Sequence, residues 1–398
     1  MTETRANPRL QGAREEELST KAGYLRMMIA VALAVALAIC LLALAKSAQG
    51  AVKLPSGFAL SEVVGHVNGG TDMEFAPDGR LFVNSQPGLV RIVKPGKKFV
   101  TFLDISAKVD DSSERGLMEI AFDPKFSKNH YVYLYYTTKA TSKTPAHNRV
   151  VRVTAKGDKA VPGSERLILQ LPNQKTERHM GGSLEFGKDG KLYISVGENN
   201  QGDPAQSLKS NLGKILRINK DGTIPTDNPF YKKTSANNRA IWALGFRNPF
   251  KITRKPGTGT IFVNDVGGSH YEEINRLKKG GNYGWPTTEG PTKNSKFVPP
   301  IYSIKHGPSG GPSGGGYCCA ITGGAFYKSV KAQFPKSYAG DYFFSDNSGG
   351  WIRSRDHATG KVTEFASGLI SPRDLEFAKG GDLYVLGTSR VEKIRYTR

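Results

Sequence analysis

The segment from Met73 to Val83 decides the fold, because its pattern returns twice along the chain. It reads MEFAPDGRLFV, and related phrases occur at Leu184 to Ile194 (LEFGKDGKLYI) and at Leu375 to Val385 (LEFAKGGDLYV). Each phrase is a short alternating strand, a turn with Asp-Gly or Gly-Gly, and a second strand rich in aromatic and β-branched residues. That order is typical of a β-hairpin. Hairpins repeated within one chain predict a β-propeller.

Three looser copies of the hairpin bring the number to six. They cover Ile120 to Thr137, Phe250 to Val263 and Gly323 to Ser345. Six units over residues 51–398 leave about 58 residues for each, enough for a four-stranded blade with its loops. We therefore predict an all-β, six-bladed propeller over residues 51–398. A β-sandwich or β-solenoid has similar turns, but a sandwich of this length without a second domain would be unusual.

An uncharged segment at residues 27–45 predicts export. It is rich in Ala, Leu and Val, and at about 1.5 Å of rise per residue it can span a bilayer's hydrocarbon core. The small residues at 45–50 also suit a cleaved signal peptide, so both interpretations stay open. In either case we expect the propeller to be membrane-anchored, periplasmic or extracellular. Residues 1–26 would be a cytoplasmic tail if the segment is retained.

The composition limits the class of protein. Of 398 residues, 38% are hydrophobic and 23% are charged, which excludes a disordered chain and a polytopic membrane protein. The 56 Lys and Arg against 35 Asp and Glu give a net charge of +21, which suits an anionic partner. We do not expect nucleic acid as that partner, because the chain is predicted to be exported and carries no recognised nucleic-acid-binding motif.

The three cysteines are too few for a disulfide framework. Cys318 and Cys319 are adjacent. They form either a strained vicinal disulfide or two buried thiols, and the sequence leaves both open.

A candidate base, His179, stands directly before the second copy of the hairpin. The phrase is Glu177-Arg178-His179-Met180-Gly181-Gly182. Histidine exchanges protons near neutral pH, and the two glycines allow a substrate to approach the backbone closely. A hydrogen-bonded loop histidine is the alternative.

A candidate cation, Arg247, follows the apolar stretch 241–244 in the phrase Gly245-Phe246-Arg247-Asn248-Pro249. A guanidinium presents a fixed fork of donors to an oxygen that gains negative charge. A salt bridge between blades is the alternative.

Two further loops could bind a cation or a sugar. Gly267 and Gly268 could turn backbone carbonyls toward a hard cation, with nearby carboxylates reinforcing it. The polar loop 196–204 could bind a sugar or Ca²⁺, or only cap its own turns. The spacing decides neither case.

Taken in order, these phrases resemble the glucose/sorbosone dehydrogenase family, a group of quinoprotein sugar dehydrogenases related to hedgehog-interacting-protein-like ectodomains. The matching phrases in this sequence are Glu114-Arg115-Gly116-Leu117, His179-Met180-Gly181-Gly182, the segment Leu212 to Asn219, Arg247-Asn248-Pro249, Glu272-Glu273-Ile274-Asn275, Gly281-Asn282-Tyr283-Gly284-Trp285 and Ile321-Thr322-Gly323-Gly324. The resemblance implies a six-bladed propeller that holds pyrroloquinoline quinone (PQQ) and Ca²⁺ at the mouth of its channel.

The resemblance also implies roles for individual residues. His179 would take the proton from a sugar hydroxyl as hydride passes to the quinone. Arg247 would stabilise charge on the quinone, and Gly267 and Gly268 would offer carbonyls to Ca²⁺. Two further predicted sets are Asn248 and Arg373 as contacts of the cofactor, and Glu114 and Arg178 as contacts of the sugar substrate.

The sequence departs from the family pattern around the cofactor. Asn347 falls where the family places Lys, and Ser371 falls where it places one of two Arg residues, which leaves Arg373. Losing two cations from a site for an acidic cofactor should weaken its binding, at about 1.5 to 3 kcal/mol per charged hydrogen bond. Phe246 also replaces a common His, and Glu198 replaces a common Asp.

Two functions follow from the sequence. The first is an exported PQQ-dependent sugar dehydrogenase that oxidises an aldose or a related sugar and passes electrons to an external acceptor. The second is a non-catalytic propeller that binds an anionic glycan or a protein partner. Uptake of the quinone separates them.

Overall fold

The structure, a computed structural model, describes Met28 and residues 52–306, 319–328 and 333–397. The chain divides into two units, residues 1–51 and Val52–Arg398, and the second is the propeller. Apart from Met28, the predicted membrane or signal segment lies outside the described residues. Within the described part of the chain, no helix has the length and apolar character needed to cross a bilayer.

The second unit is built from six antiparallel sheets, or blades, numbered here in chain order. Blade 1 comprises β2 (Gly70–Phe75), β3 (Leu81–Ser85), β4 (Leu89–Lys94) and β5 (Lys98–Asp104). Blade 2 comprises β6 (Leu117–Phe122), β7 (Tyr131–Thr137), β8 (His147–Lys156), β9 (Lys159–Ala160) and β10 (Arg166–Asn173). Blade 3 comprises β11 (Gly181–Phe186), β12 (Leu192–Val196), β13 (Lys214–Ile218) and β14 (Ile241–Leu244).

The remaining blades have the same form. Blade 4 comprises β15 (Asn248–Arg254), β16 (Ile261–Val266), β17 (Tyr271–Arg276) and β18 (Tyr302–Lys305). Blade 5 comprises β19 (Ile321–Phe326), β20 (Tyr342–Asp346), β21 (Trp351–Arg355) and β22 (Val362–Ser367). Blade 6 comprises β23 (Asp374–Phe377), β24 (Leu383–Leu386), β25 (Val391–Tyr396) and, from the start of the unit, β1 (Phe58–Val64).

The pairing of β1 with β25 closes the ring. The register runs antiparallel from Phe58 opposite Tyr396 to Val64 opposite Val391. The first strand of the unit therefore completes the four-stranded sheet of the last blade. The predicted six-bladed all-β fold is confirmed, and the six predicted hairpins are the two innermost strands of the six blades.

The innermost strands β2, β6, β11, β15, β19 and β23 contact one another in a ring around the axis. Between each pair of neighbouring blades lies a separate apolar cluster, such as the one that packs Phe82 of blade 1 against Phe122 of blade 2. Alternation along each strand places one row of side chains in such a cluster. The propeller therefore has six cores, and its axis is left for polar residues.

The repeated phrase folds into the same turn in each copy. In the first copy, the Ala76 amide donates to the Arg80 carbonyl at 2.9 Å and the Gly79 amide donates to the Ala76 carbonyl at 2.8 Å. Gly79 has φ of 92°, a conformation that glycine adopts at little cost. The turns 187–191 and 378–382 repeat both hydrogen bonds, with glycine at the same position.

The described helices are short. They are an α-helix, α1 (Phe126–Asn129), and four 3-10 helices at Asp203–Gln206, Tyr231–Lys233, Ala236–Ala240 and Lys336–Tyr338. Cys319 is disulfide-bonded, which favours the disulfide interpretation over two thiols, and Cys318 lies outside the described residues.

Candidate active site

A cavity lies on the axis where the innermost strands begin, and it is called the main cavity here because all six blades line it. Its volume is about 230 Å³. Its lining includes Thr71, Gln86, Glu114, Met118, Met180, Gly181, Asn248, Phe250, Val266, Ala320, Thr322, Asn347 and Arg373. Every blade contributes at least one of these residues, so only the closed ring forms the cavity.

His179 lies beside this cavity, directly before the lining residues Met180 and Gly181. Its backbone has φ of 57°, and its amide donates to the Glu114 carboxylate at 2.6 Å. The ring Nδ1 lies 2.5 Å from the Glu198 carboxylate. A carboxylate at Nδ1 favours the tautomer with its proton there, which leaves Nε2 with a lone pair that can accept a proton.

Glu198 is a buried partner that sequence reasoning missed. The sequence shows it as a member of the polar loop 196–204 and as a departure from the Asp common in the family, and neither observation predicts a contact with His179. Its second oxygen accepts hydrogen bonds from the amides of Gly202, at 2.5 Å, and Gln201. Burial opposes ionisation of this carboxyl, but hydrogen bonds from His179 and Gly202 lower its pKa overall. The carboxylate is therefore ionised at neutral pH and can stabilise a protonated imidazole.

A sequence signal for Glu198 did exist. Gly181 pairs with Val196 across the hairpin of β11 and β12. His179 stands two residues before that pair and Glu198 stands two residues after it, so the hairpin brings both side chains to the same end. Mapping the repeat onto paired strands would have found the contact.

Arg247 and Asn248 are held by the carboxylate of Asp265. The Arg247 amide donates to Asp265 at 3.1 Å and the Asn248 amide donates at 2.7 Å. Burial, and then the nearby Glu273, raise the pKa of Asp265 well above its usual range. The Arg247 guanidinium donates to the Val266 carbonyl at 3.1 Å. It also lies 5.4 Å from the centre of the Trp285 ring.

Hydrogen bonds between blades bring the two candidate groups to the same end of the propeller. The Glu198 amide donates to the Arg247 carbonyl at 2.8 Å. The Gly181 amide donates to the Asn248 side-chain oxygen at 3.0 Å. The turn that carries His179 is therefore bonded directly to the turn that carries Arg247.

Arg373 and Asn347 contribute the polar part of the cavity on its blade 5 and blade 6 side. The Arg373 guanidinium donates to the Gly70 carbonyl at 3.1 Å, and burial lowers its pKa. The Asn347 side-chain oxygen is buried and has no hydrogen-bond partner among the described residues. Ser371 is in the left-handed region, with φ of 46°. A ligand with hydrogen-bond donors would satisfy the Asn347 oxygen.

The other predicted contacts lie at different places. Gly267 and Gly268 form the turn between β16 and β17, and Gly267 lines a smaller cavity together with Arg247. Glu114 lines the main cavity, and its carboxylate also accepts the hydrogen bond from the His179 amide. Arg178 is exposed and does not line the main cavity.

An ion cluster that sequence reasoning missed lies beside a second, smaller cavity, whose lining shares Thr71, Met118 and Gly181 with the main cavity. Lys251 lies 3.0 Å from Asp72, 3.0 Å from Asp374 and 3.6 Å from Glu119. These residues come from blades 4, 1, 6 and 2. Burial raises the pKa of Asp72 to about 7, although Lys251 opposes the shift. The cluster joins four blades across the axis.

The family model for glucose/sorbosone dehydrogenase matches residues 68–394. The chain belongs to this family. Aldose sugar dehydrogenase YliI from Escherichia coli is 30% identical over 282 residues, which is 66% of this chain and 71% of that protein. Hedgehog-interacting protein from Homo sapiens is 26% identical, over 84% of this chain and 50% of its own length. The chain therefore spans only about half of some relatives.

Solved structures agree with the family. The apo-form of the soluble aldose sugar dehydrogenase from Escherichia coli aligns with a TM-score of 0.74 and 25% identity, over 85% of this chain and 99% of that one. The PQQ-bound form of aldose sugar dehydrogenase from Streptomyces coelicolor has a TM-score of 0.68 at 21% identity, over 86% of this chain and 99% of that one. At that identity the second match shows the fold alone.

Proposed function

We propose that this protein is a quinoprotein oxidoreductase that oxidises an aldose or a related sugar with PQQ and Ca²⁺. The observation that carries the proposal is the buried His179–Glu198 pair, hydrogen-bonded to the Arg247–Asn248 turn at the mouth of the axis. A base with its partner carboxylate beside a guanidinium suits the removal of hydride from an alcohol carbon, because the hydroxyl proton must leave as the hydride does.

The residues around the cavity fit an acidic, planar cofactor. Arg247 and Arg373 provide positive charge, and the amides of Asn248 and Asn347 provide donors. The Asn347 side-chain oxygen, which has no partner among the described residues, is available to a hydrogen-bond donor on a ligand. Apolar side chains such as Met118 and Phe250 can cover the faces of a ring system. When bound, PQQ would supply the hydride acceptor and Ca²⁺ would polarise it.

The protein's own residues prepare the substrate. His179 accepts the hydroxyl proton at Nε2, and Glu198 holds the ring in the tautomer that makes this nitrogen available. Glu198 then stabilises the protonated ring. Arg247 and Arg373 bind negative charge, and the hydrogen bonds between blades keep these groups in one arrangement before the substrate arrives.

The test is reconstitution of the purified protein with PQQ and Ca²⁺. We expect an aldose to reduce an artificial electron-acceptor dye, and His179→Ala to lower the rate by about 100-fold or more. His357→Ala is the control, because this exposed histidine places its Nδ1 3.3 Å from the carboxylate of Asp341 and lines neither the main cavity nor the cavity beside Arg247. A wild-type protein that binds the quinone but oxidises no sugar would contradict the proposed reaction. Equal rates in wild type and His179→Ala would contradict the role of His179.

The place of the protein in the cell forms part of the proposal. We infer that residues 27–45 direct the propeller across the membrane and either anchor it or are removed. The electrons would then pass to an acceptor outside the cytoplasm. Cell fractionation with a carbonate wash separates an anchored protein from a released one, and a cytoplasmic protein would contradict export.

The second candidate is a propeller that binds an anionic glycan or protein without catalysis. The net charge of +21 and the loss of two expected cations at Asn347 and Ser371 favour it. Salt-sensitive retention on an anionic glycan, together with no uptake of PQQ, would replace the first proposal with this one.

A further inference from the structure

One carboxylate, Glu289, gathers the backbone of the loop between β16 and β17. Its Oε1 accepts hydrogen bonds from the amides of Gly268 at 2.7 Å, Tyr271 at 2.9 Å and His270 at 3.1 Å. Its Oε2 lies 3.5 Å from the Ser269 amide and 3.2 Å from His270 Nδ1. The Glu289 side chain is only 10% exposed. The backbone amides from Gly268 to Tyr271 therefore all point toward the Glu289 carboxylate.

The direction of these amides determines the direction of the carbonyls. In a planar trans peptide, the C=O of one residue and the N–H of the next point to opposite sides. Because the Gly268 N–H points at Glu289, the Gly267 carbonyl points away from it. The Ser269 N–H also points at Glu289, at the longer distance of 3.5 Å from Oε2, so the Gly268 carbonyl points away from Glu289 as well.

A third carbonyl of this loop, which also points away from Glu289, accepts a hydrogen bond. The His270 carbonyl, paired in its peptide with the Tyr271 N–H, accepts a hydrogen bond from the His306 amide at 2.8 Å. In the described part of the chain, the carbonyls of Gly267 and Gly268 accept no hydrogen bond. Two backbone oxygens therefore face away from Glu289 with their lone pairs available, and carbonyl oxygens are suitable ligands for Ca²⁺.

Steric contacts exclude a side chain at both Gly267 and Gly268. A Cβ on Gly267 would lie 1.7 Å from the Tyr271 carbonyl oxygen and 2.8 Å from Glu289. A Cβ on Gly268 would lie 2.9 Å from the ring of Trp285, the ring that lies next to Arg247. The glycines thus allow the backbone to close around Glu289 beside the candidate active site.

We propose that Glu289 is the positioning residue that aims the Gly267 and Gly268 carbonyl oxygens at a divalent cation. It acts through the loop and not as a ligand, because its oxygens already accept the loop amides. This inference rests on the proposed function, since it concerns the Ca²⁺ that would accompany the quinone.

The test is the Ca²⁺ concentration needed for half-maximal uptake of PQQ, measured by calorimetry or absorbance without any turnover. We expect Glu289→Ala to raise this concentration by about tenfold or more. Glu289→Asp keeps the charge but shortens the reach, and it should raise the requirement as well. Glu289→Gln keeps the reach and one acceptor oxygen, and it should stay within about threefold of wild type if it retains the three Oε1 bonds.

The control is Asp221→Ala, which removes another loop-capping carboxylate, bonded to the Thr223 amide at 3.0 Å, outside the site. It should not change the Ca²⁺ requirement. Hydrogen exchange of the Gly268, His270 and Tyr271 amides should speed up in Glu289→Ala in the absence of any ligand.

The outcomes separate this inference from the proposed function. Uptake by Glu289→Ala at the wild-type Ca²⁺ concentration would overturn the positioning role and leave the proposed function intact. A raised requirement in Glu289→Gln with none in Glu289→Asp would also overturn it, because charge and not reach would then matter. A wild type that takes up no PQQ at any Ca²⁺ concentration would overturn both.

Discussion

At the scale of single residues, the most important feature of the site is the hydrogen bond between the buried carboxylate of Glu198 and the ring of His179. Glu198 accepts a hydrogen bond from His179 with one oxygen and from backbone amides with the other. A glutamine must present its NH₂ group to one of these two sets of donors. The site therefore depends on a carboxylate, and not only on a side chain of this length.

We predict that Glu198→Gln lowers sugar-dependent dye reduction by about 10- to 100-fold and leaves PQQ binding close to wild type. Glu177→Gln is the control, because Glu177 is exposed and stands two residues before His179 in the sequence. A rate in Glu198→Gln equal to that of the control would show that the pair with His179 is not needed.

The same substitution has a pH signature. Because the pKa of Glu198 is lowered in the folded state, its ionised form stabilises the fold above the unfolded pKa of about 4.3, and this is lost as the pH falls through the folded pKa. The difference in unfolding free energy between wild type and Glu198→Gln should therefore shrink as the pH falls from 6 toward 3. Denaturant titration at several pH values measures it, and a constant difference would be a contradiction.

A substitution at Asn347 tests whether added positive charge in the main cavity strengthens PQQ binding. We predict that Asn347→Lys tightens PQQ binding by about tenfold, because one charged hydrogen bond to an acidic group contributes about 1.5 to 3 kcal/mol. Asn294→Lys, on an exposed loop residue, is the control for net charge. Weaker binding in Asn347→Lys than in Asn294→Lys would mean that no acidic part of the ligand lies beside Asn347.

At the scale of elements, the hairpin turn is the unit that the sequence repeats. Gly190 has φ of 72° and Gly380 does not have a positive φ, while a Cβ on either would meet nothing within 4 Å. The two positions differ in backbone conformation and not in space. Gly381 is the residue equivalent to Gly190, so Gly380, one residue earlier in another copy of the turn, serves as the comparison position.

We predict that Gly190→Ala destabilises the fold by about 1 kcal/mol, because an alanine at positive φ is strained. Gly380→Ala should be neutral or slightly stabilising. Thermal or denaturant unfolding measures the difference. Equal effects at the two positions would mean that the turn conformation does not limit stability.

The repeat explains how much of the fold could be predicted. Each phrase contains its own turn and both of its strands, so local sequence was enough for the six inner hairpins. The partner of β25 was not predictable in this way, because β1 lies at the far end of the unit and no local signal joins them. The outer strands similarly vary in length and spacing, as the long β8 (His147–Lys156) illustrates.

Prediction of the site shows the same limit. His179 and Arg247 stand in recognisable phrases, whereas Lys251 and Glu289 do not. A lone lysine is usually exposed, and only the ring of inner strands shows that Lys251 faces three carboxylates. Glu289 reaches the loop 267–271 from a separate segment, so its role depends on tertiary contacts that no motif encodes.

At the scale of the whole molecule, the ion cluster around Lys251 ties four blades together across the axis. Removing the lysine would leave three buried carboxylates without their cation. We predict that Lys251→Met lowers the unfolding free energy by about 3 to 5 kcal/mol at pH 8. The loss should be smaller at pH 5, because protonation of Asp72 and Glu119, whose pKa values are raised by burial, removes buried negative charge.

Lys98→Met, at an exposed lysine, is the control for that change and should leave stability within about 0.5 kcal/mol of wild type. Denaturant titration of both variants at pH 5 and pH 8 provides the comparison. A loss in Lys251→Met that is equal at both pH values would show that burial of charge is not its cause.

The central claim is that the closed ring assembles one cofactor site from His179, Arg247, Arg373 and the turn at Gly267. Calorimetric titration of the purified protein with PQQ, with and without Ca²⁺, tests it most directly. We predict saturable binding of about one PQQ per chain that requires Ca²⁺ and is weakened about tenfold or more by Arg247→Ala. No saturable binding under either condition, or binding that Arg247→Ala leaves unchanged, would contradict the account.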